Sequence, residues 1–140
     1  MGLFGSLFSK EKDLPPLDPG AGAAKLLEKH GSSFSSFAGH VKDKLELIPT
    51  ESTLYVFVGK PPDAFGVVWL RDGKEHNVKT LMQEHKLPQP RIQILSDKLR
   101  ESYVRHREDE RYSATVAGKK VTVTPSETFA KDVERVIAEV

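Results

Sequence analysis

Five histidines are the side chains in this chain best suited to acid–base or metal chemistry: His30, His40, His76, His85 and His106. No two of them lie four residues apart, and none belongs to an H-E-x-x-H pattern, which places two imidazoles on one helical face. The chain also has no cysteine, so thiolate ligands, disulfides and thiol nucleophiles are excluded. We therefore predict no metal and no cofactor. A ligand set assembled in space from His76, His85 and a neighbouring glutamate is the alternative.

The remaining polar residues show no catalytic spacing. There is no G-x-S-x-G motif for a serine nucleophile, and the carboxylates of residues 108–110 stand between arginines, as in a solvated helix end. Residues 59–62, GKPP, resemble a phosphate-binding loop only superficially, because two prolines remove the amides that hold phosphate. These patterns favour a protein that is not an enzyme.

The composition further limits the class of protein that this chain can belong to. The 140 residues are 38% hydrophobic, which suffices for one modest core, and 21 basic residues against 20 acidic ones give a formal charge of +1. A nucleic-acid-binding protein would need a basic patch to release phosphate counterions, so we expect no nucleic-acid partner. No apolar run approaches the roughly 20 residues of a membrane-spanning helix, and no secretory signal is found. The sequence predicts a cytoplasmic protein.

The N-terminal ten residues, MGLFGSLFSK, place Leu3, Phe4, Leu7 and Phe8 at helical spacing. This short apolar face could dock onto a partner protein or a membrane, and M-G-x-x-x-S also fits the N-myristoylation pattern; a frayed terminus is the plain alternative. Residues 12–22 follow with three prolines and two glycines. We predict a flexible tail and linker over residues 1–22 and one folded domain over residues 23–140.

Residues 53–71 are apolar on both alternating faces and predict a central antiparallel hairpin, covered on each side. Its tip, residues 59–64, is stiffened by two prolines and could present Lys60, Asp63 and Phe65 to a partner. Trp69, the only tryptophan, is expected in the core, with a pocket wall as the alternative.

The other elements follow from periodicity and capping. A 3- and 4-residue apolar rhythm predicts one long helix over residues 23–48, weakened near Gly31. Asn77 is expected to cap a short helix, residues 91–95 to form a strand, and Ser96 to cap the next helix. A second hairpin is expected over residues 112–124. Thr124 and Glu127 are expected to form the capping box of the last helix.

These elements predict a single α+β domain in which helices pack on a mainly antiparallel sheet of about five strands, in the order α-ββ-α-β-α-ββ-α. The leading functional hypothesis is a non-catalytic, cytoplasmic interaction or regulatory module with a protein partner. A small-molecule site or minor enzyme centred on Trp69, His76, His85 and Arg91 is the first alternative. Peripheral membrane attachment through the N-terminal segment is the second. The oligomeric state does not follow from these patterns.

Overall fold

The computed structural model describes residues 14–139. In this part of the chain the elements are α1 Gly22–Lys29, α2 Gly31–Ala38, β1 Leu45–Pro49, β2 Thr53–Lys60, β3 Ala64–Arg71, β4 Lys74–Asn77, α3 Val78–His85, α4 Gln89–Arg105, β5 Tyr112–Val116, β6 Lys119–Val123 and α5 Glu127–Ala138. One sheet has the strand order β4-β3-β2-β1-β6-β5, antiparallel except between β1 and β6. The predicted α+β class with a mainly antiparallel sheet is confirmed.

The predicted central hairpin is present as β2 and β3. These strands pair over their full length, from Thr53 opposite Arg71 to Lys60 opposite Ala64. Tyr55, Phe57 and Trp69 are only 2%, 0% and 6% exposed, as expected for a hairpin covered on both faces.

The core has two halves, one on each face of the sheet, because alternate strand residues point to opposite sides. On one face Tyr55 and Phe57 pack with residues of α4 and α5, including Leu95 and Phe129. On the other face Leu54, Val56 and the β6 valines pack with Leu27, Phe34 and Phe37 of α1 and α2. The domain therefore has helices on both sides of the sheet.

The prediction of a single helix over residues 23–48 is wrong. Helices α1 and α2 are separated at His30, and residues 45–49 form β1, which is buried along its whole length between β2 and β6. Because both faces of β1 are covered, its sequence LELIP lacks the alternation that marks a half-buried strand. Such a short apolar run fits a helical rhythm equally well.

The strand predicted over residues 91–95 is also wrong, and Ser96 is not a cap. Both lie inside α4, which begins directly after Pro88 and has Pro90 in its first turn. Leu95, Leu99 and Ser102 are buried at intervals of four and three residues, which is the helical period. Proline at a helix start is favoured because its missing N–H would have no partner there.

The Asn77 cap is confirmed: its side chain accepts a hydrogen bond from the Thr80 backbone N–H at 3.0 Å, and the Thr80 hydroxyl accepts one from the Asn77 N–H. Strand β4, just before this cap, was not predicted, because KEHN is polar and short. The predicted cap Thr124 is wrong by two residues, since Ser126 caps α5 and Thr124 is fully buried.

Part of the segment interpreted as a linker lies against the sheet. Pro16 forms a parallel bridge with Ser113 of β5, and Leu17 packs on the core beside α1. No helix within residues 14–139 has the length and apolar character needed to cross a membrane.

Candidate functional site

A broad cleft lies where the α2–β1 loop passes over the outer end of the central hairpin. We call it the basic-rimmed cleft; it measures about 1070 Å³ and is lined by Phe37, His40, Val41, Lys42, Asp43, Lys44, Val58, Gly59, Lys60, Ala64, Phe65, Gly66, Val67, Val68, Asn77 and Val78. The loop that forms one wall is held in place at two points. Lys119 donates to the Val41 carbonyl at 2.6 Å, and the Gly59 N–H donates to the Lys44 carbonyl at 2.9 Å.

The floor of this cleft is apolar and partly uncovered. Val58 and Gly66 are opposite each other on β2 and β3, and Val68 lies two residues along β3 on the same face. Helix α2 ends at Ala38, and its Phe37 lines the cleft beside this floor. A Cβ placed on Gly66 would meet no atom within 4 Å. The floor therefore has room for a side chain from another molecule.

The rim of the cleft carries mostly positive charge. Three lysines line it, Lys42, Lys44 and Lys60, together with His40, whereas Asp43 is its only carboxylate. Lys42 and Lys60 are exposed, and neither makes an ion pair with another residue of the part described. An apolar floor below such a rim suits a ligand that combines an apolar group with negative charge.

Two of the three hairpin residues proposed as partner contacts line this cleft, namely Lys60 and Phe65, while Asp63 lies outside it. The Phe65 ring stacks on Phe57 at 5.7 Å, and the Arg100 guanidinium lies 5.6 Å from its centroid. Arg100 also donates to the Pro62 carbonyl at 2.8 Å, which holds the tip against α4. The hairpin end is therefore a fixed wall of the cleft.

A second cleft, of about 600 Å³, brings together three of the four residues proposed as a pocket: Trp69, His76 and His85. We call it the tryptophan–histidine cleft; its other lining residues are Tyr55, Arg71, Thr80, Leu81, Glu84, Lys131, Glu134, Arg135, Ile137 and Ala138. The Trp69 and His76 rings stack at 6.1 Å with an interplanar angle of 15°. Burial, followed by the charge of Glu134, raises the pKa of Tyr55 above its ordinary value.

Arg91, the fourth proposed pocket residue, is exposed in the first turn of α4 and does not line this cleft. The four N-terminal residues proposed as partner or membrane contacts, Leu3, Phe4, Leu7 and Phe8, lie outside the described residues. Their role stays a prediction.

The sequence patterns did not reveal a buried charge network on the α4–α5 face. Glu46 of β1 is 8% exposed and accepts hydrogen bonds from Arg111 at 2.9 Å, Tyr103 at 2.8 Å and Thr124 at 2.6 Å. Burial and the Glu46 carboxylate raise the pKa of Tyr103, which keeps this hydroxyl a donor. The Arg111 Nη2 atom has no hydrogen-bond partner among residues 14–139, but its guanidinium lies 5.2 Å from the Tyr103 ring centroid.

A neighbouring cluster joins the end of α4 to α5. Asp132 accepts from Ser102 at 2.8 Å and from Arg105 at 2.7 Å, and it also contacts Arg135. Burial raises the pKa of Asp132, but these donors outweigh that effect and lower it to about 2. The His106 ring stacks on Phe129 at 4.9 Å between the Asp109 and Asp132 carboxylates, at 3.1 and 3.3 Å.

Within residues 105–111, His106 and Arg111 reach into the domain, whereas Glu108 and Glu110 are exposed, as expected for a solvated helix end. The carboxylates that contact Arg111 and His106 from inside the domain, Glu46 and Asp132, are themselves held by two or more donors, so these groups anchor the α4–β5 loop rather than face a substrate. Within the described residues, no group of three or more histidine, aspartate or glutamate side chains is arranged so that it could hold a metal ion; the Asp109 and Asp132 carboxylates contact opposite nitrogens of His106. The one local signal for the network was a glutamate inside an apolar strand, at position 46.

Comparison of the chain with family models, with curated proteins and with solved structures finds no match in any of the three.

Proposed function

We propose that this protein is a non-catalytic, cytoplasmic interaction module that binds a segment of a partner protein in the basic-rimmed cleft. The observation that carries the proposal is the combination of an open apolar floor at Gly66 with a rim of lysines. The segment that fits places an apolar side chain on the floor and acidic residues beside Lys42 and Lys60. Apolar burial would supply most of the affinity, and the charges would supply orientation and rate of association.

The shape of the cleft supports a protein segment as the occupant. Its walls are a hairpin held by Arg100 and a loop held by Lys119, so little ordering is needed on binding. Its volume of about 1070 Å³ and its apolar lining suit an extended or helical segment with one or two anchoring side chains.

The test is selection of peptides from a random display library on the full chain. We expect the selected peptides to carry an aromatic or aliphatic residue flanked by aspartate or glutamate. Their affinity should fall at least tenfold for Gly66→Leu, which fills the floor, and for the double variant Lys42→Glu/Lys60→Glu. The matched control is Lys25→Glu, an exposed lysine on α1 outside the cleft, which should bind as the unaltered chain does.

Peptides without acidic enrichment, or peptides that bind Gly66→Leu as well as the unaltered chain, would rule out this cleft as the site. Circular dichroism of each variant separates loss of binding from loss of folding. Added bulk at Gly66 meets open space, so we expect this variant to fold.

A small-molecule site in the tryptophan–histidine cleft is the second candidate. The specific observation in its favour is that three residues distant in sequence, Trp69, His76 and His85, line one cleft with Lys131 and Glu134. Because Trp69 is the only tryptophan, its fluorescence reports on this cleft directly. Screening a metabolite library by this emission should give ligands whose signal is lost in His76→Ala. If the screen yields no such ligand, a small-molecule site in this cleft is ruled out.

A further inference from the structure

The edge of β5 that does not pair with β6 is partly covered by the N-terminal part of the chain itself. Residues 14–17, which we call the N-terminal strap, run parallel to β5 and meet it at Ser113. The Ser113 N–H donates to the Pro15 carbonyl at 2.9 Å, and the Leu17 N–H donates to the Ser113 carbonyl at 2.8 Å. The Ser113 hydroxyl adds a bond to the Leu14 carbonyl at 3.3 Å. The strap is thus a short added strand.

The sequence of the strap limits this pairing. In a parallel ladder every second residue of the added strand donates its N–H to the sheet, so residues 15, 17 and 19 face β5. Two of these three are proline and have no N–H. Only Leu17 can donate, and Asp18 then begins a turn closed by the Ala21 N–H, which takes the chain away from β5.

The edge therefore retains unused bonding capacity. The N–H and C=O of Thr115 point to the same side as those of Ser113, because alternate residues of a strand share an edge. No hydrogen bond to either group is found within residues 14–139. Beside Thr115 a groove of about 620 Å³ continues between α1 and β5, where Ala24, Leu27 and Val116 form apolar walls.

We infer that the β5 edge is a strand-addition site for an extended peptide of a partner protein, and that the N-terminal strap occupies it in cis as a placeholder. The fitting peptide runs parallel to β5, has an apolar residue at the place of Leu17, and has no proline at the places of Pro15 and Pro19. Such a peptide donates three main-chain hydrogen bonds where the strap donates one. It also extends over Thr115 into the groove.

Competition with the strap sets the affinity of a free peptide for the β5 edge. A tethered segment has an effective concentration in the millimolar range, so a free peptide binds the intact chain weakly. Weakening the strap should therefore strengthen peptide binding. This inference rests on the β5 edge alone and stands or falls separately from the basic-rimmed cleft.

The probe is a fluorescein-labelled synthetic peptide that copies residues 14–21 with Pro15→Val and Pro19→Val, measured by anisotropy on the full chain. We expect it to bind Leu17→Asp, which releases the strap, at least tenfold more tightly than the unaltered chain. The same peptide with both prolines retained should bind Leu17→Asp about tenfold more weakly than the probe does, since it lacks two donors. Gly66→Leu should leave probe binding unchanged.

Three variants of the edge locate the site. Ser113→Pro removes the N–H that both strap and probe need, whereas Ser113→Ala removes only the hydroxyl and should keep probe binding. If Ser113→Pro does not fold, Thr115→Pro removes the next outward N–H without touching the strap and should weaken probe binding several-fold. In the complex, hydrogen exchange at the Thr115 amide should slow at least tenfold.

Equal probe binding by the unaltered chain, Leu17→Asp and Thr115→Pro would overturn the inference, and so would an unprotected Thr115 amide. Sedimentation distinguishes a further outcome. If Leu17→Asp or the unaltered chain forms dimers whose straps are exchanged, the occupant is a second copy of this chain and the assignment to a partner peptide is wrong.

Discussion

On the face of the sheet covered by α4 and α5, Glu46 and Asp132 lie among two or more donors each, and their partners Arg111 and His106 lie partly inside the domain. On the opposite face, near the end of the same hairpin, Lys42 and Lys60 extend from the rim of an open cleft with no ion pair in the described structure. Charges that are satisfied internally hold elements together, whereas charges left around an apolar floor are available to a partner.

The two edges of the sheet also differ. At β4 the outward groups of Asn77 are engaged by the Thr80 hydroxyl, which leaves Glu75 as the open residue of a short, polar strand. Such an edge resists strand addition. At β5 the chain covers Ser113 with its own strap and leaves Thr115 open. The two edges are therefore protected in different ways, and the strand addition that we propose concerns β5 alone.

The largest expected effect is on the buried network. Replacing Glu46→Ala leaves the Arg111 guanidinium buried without its carboxylate, and removal of one partner from a buried pair costs about 3 kcal/mol or more. We expect the free energy of unfolding, measured by urea denaturation, to fall by that amount. A loss below about 1 kcal/mol would mean that the two faces do not differ in the way described.

Acid should destabilise the same face through Asp132. Its pKa is lowered from 3.8 to about 2 in the folded chain, so its stabilising contribution is complete above pH 3.8 and is lost as the pH falls from 3.8 to about 2. Because Asp132 is partly exposed and solvent screens its partners, the stability lost should be at most about 2 kcal/mol. Urea denaturation across this pH range should show the loss, and Asp132→Asn should reduce it; an unchanged acid profile in that variant would contradict the assignment.

Two glycines that line the basic-rimmed cleft form a matched pair. Gly59 has a φ of 108°, and a Cβ there would lie 2.8 Å from the Ala64 carbonyl oxygen, so Gly59→Ala should cost about 1 to 2 kcal/mol. Gly66→Ala meets open space and should be neutral or stabilising by about 0.5 kcal/mol, because glycine weakens a strand. Thermal unfolding of both variants measures this difference in stability. Equal effects of the two substitutions would contradict the prediction.

The smallest expected effect concerns the rim. Lys42→Ser and Lys60→Ser remove exposed charges without internal partners in the described chain, so each should change the free energy of unfolding by less than about 0.5 kcal/mol. Urea denaturation is again the measurement. A larger loss would show that these lysines support the fold and would weaken their assignment to a partner.

The sequence predicted most of the structural features that depend on local patterns of residues. The β2–β3 hairpin, the Asn77 cap and the α+β class followed from alternation, capping chemistry and apolar faces. Lys60 and Phe65 of the predicted hairpin tip line the basic-rimmed cleft, and their role in binding stays a prediction. The loop residues Val41 and Lys42 that complete the cleft did not follow from the sequence, because nothing local indicates that this loop passes over β2 and β3.

Sequence by itself determined which residues alternate, where helices could be capped, and that thiol chemistry is absent. Only the tertiary structure decided that residues 45–49 are a strand and residues 91–95 a helix, because a short apolar run fits both periods until its neighbours are known. The pairing of Glu46 with Arg111 spans 65 residues of sequence, and the strap contact joins Leu14 to Ser113 across 99. Such contacts carry no local pattern; they exist because folding brings distant groups into a shared, weakly solvated environment.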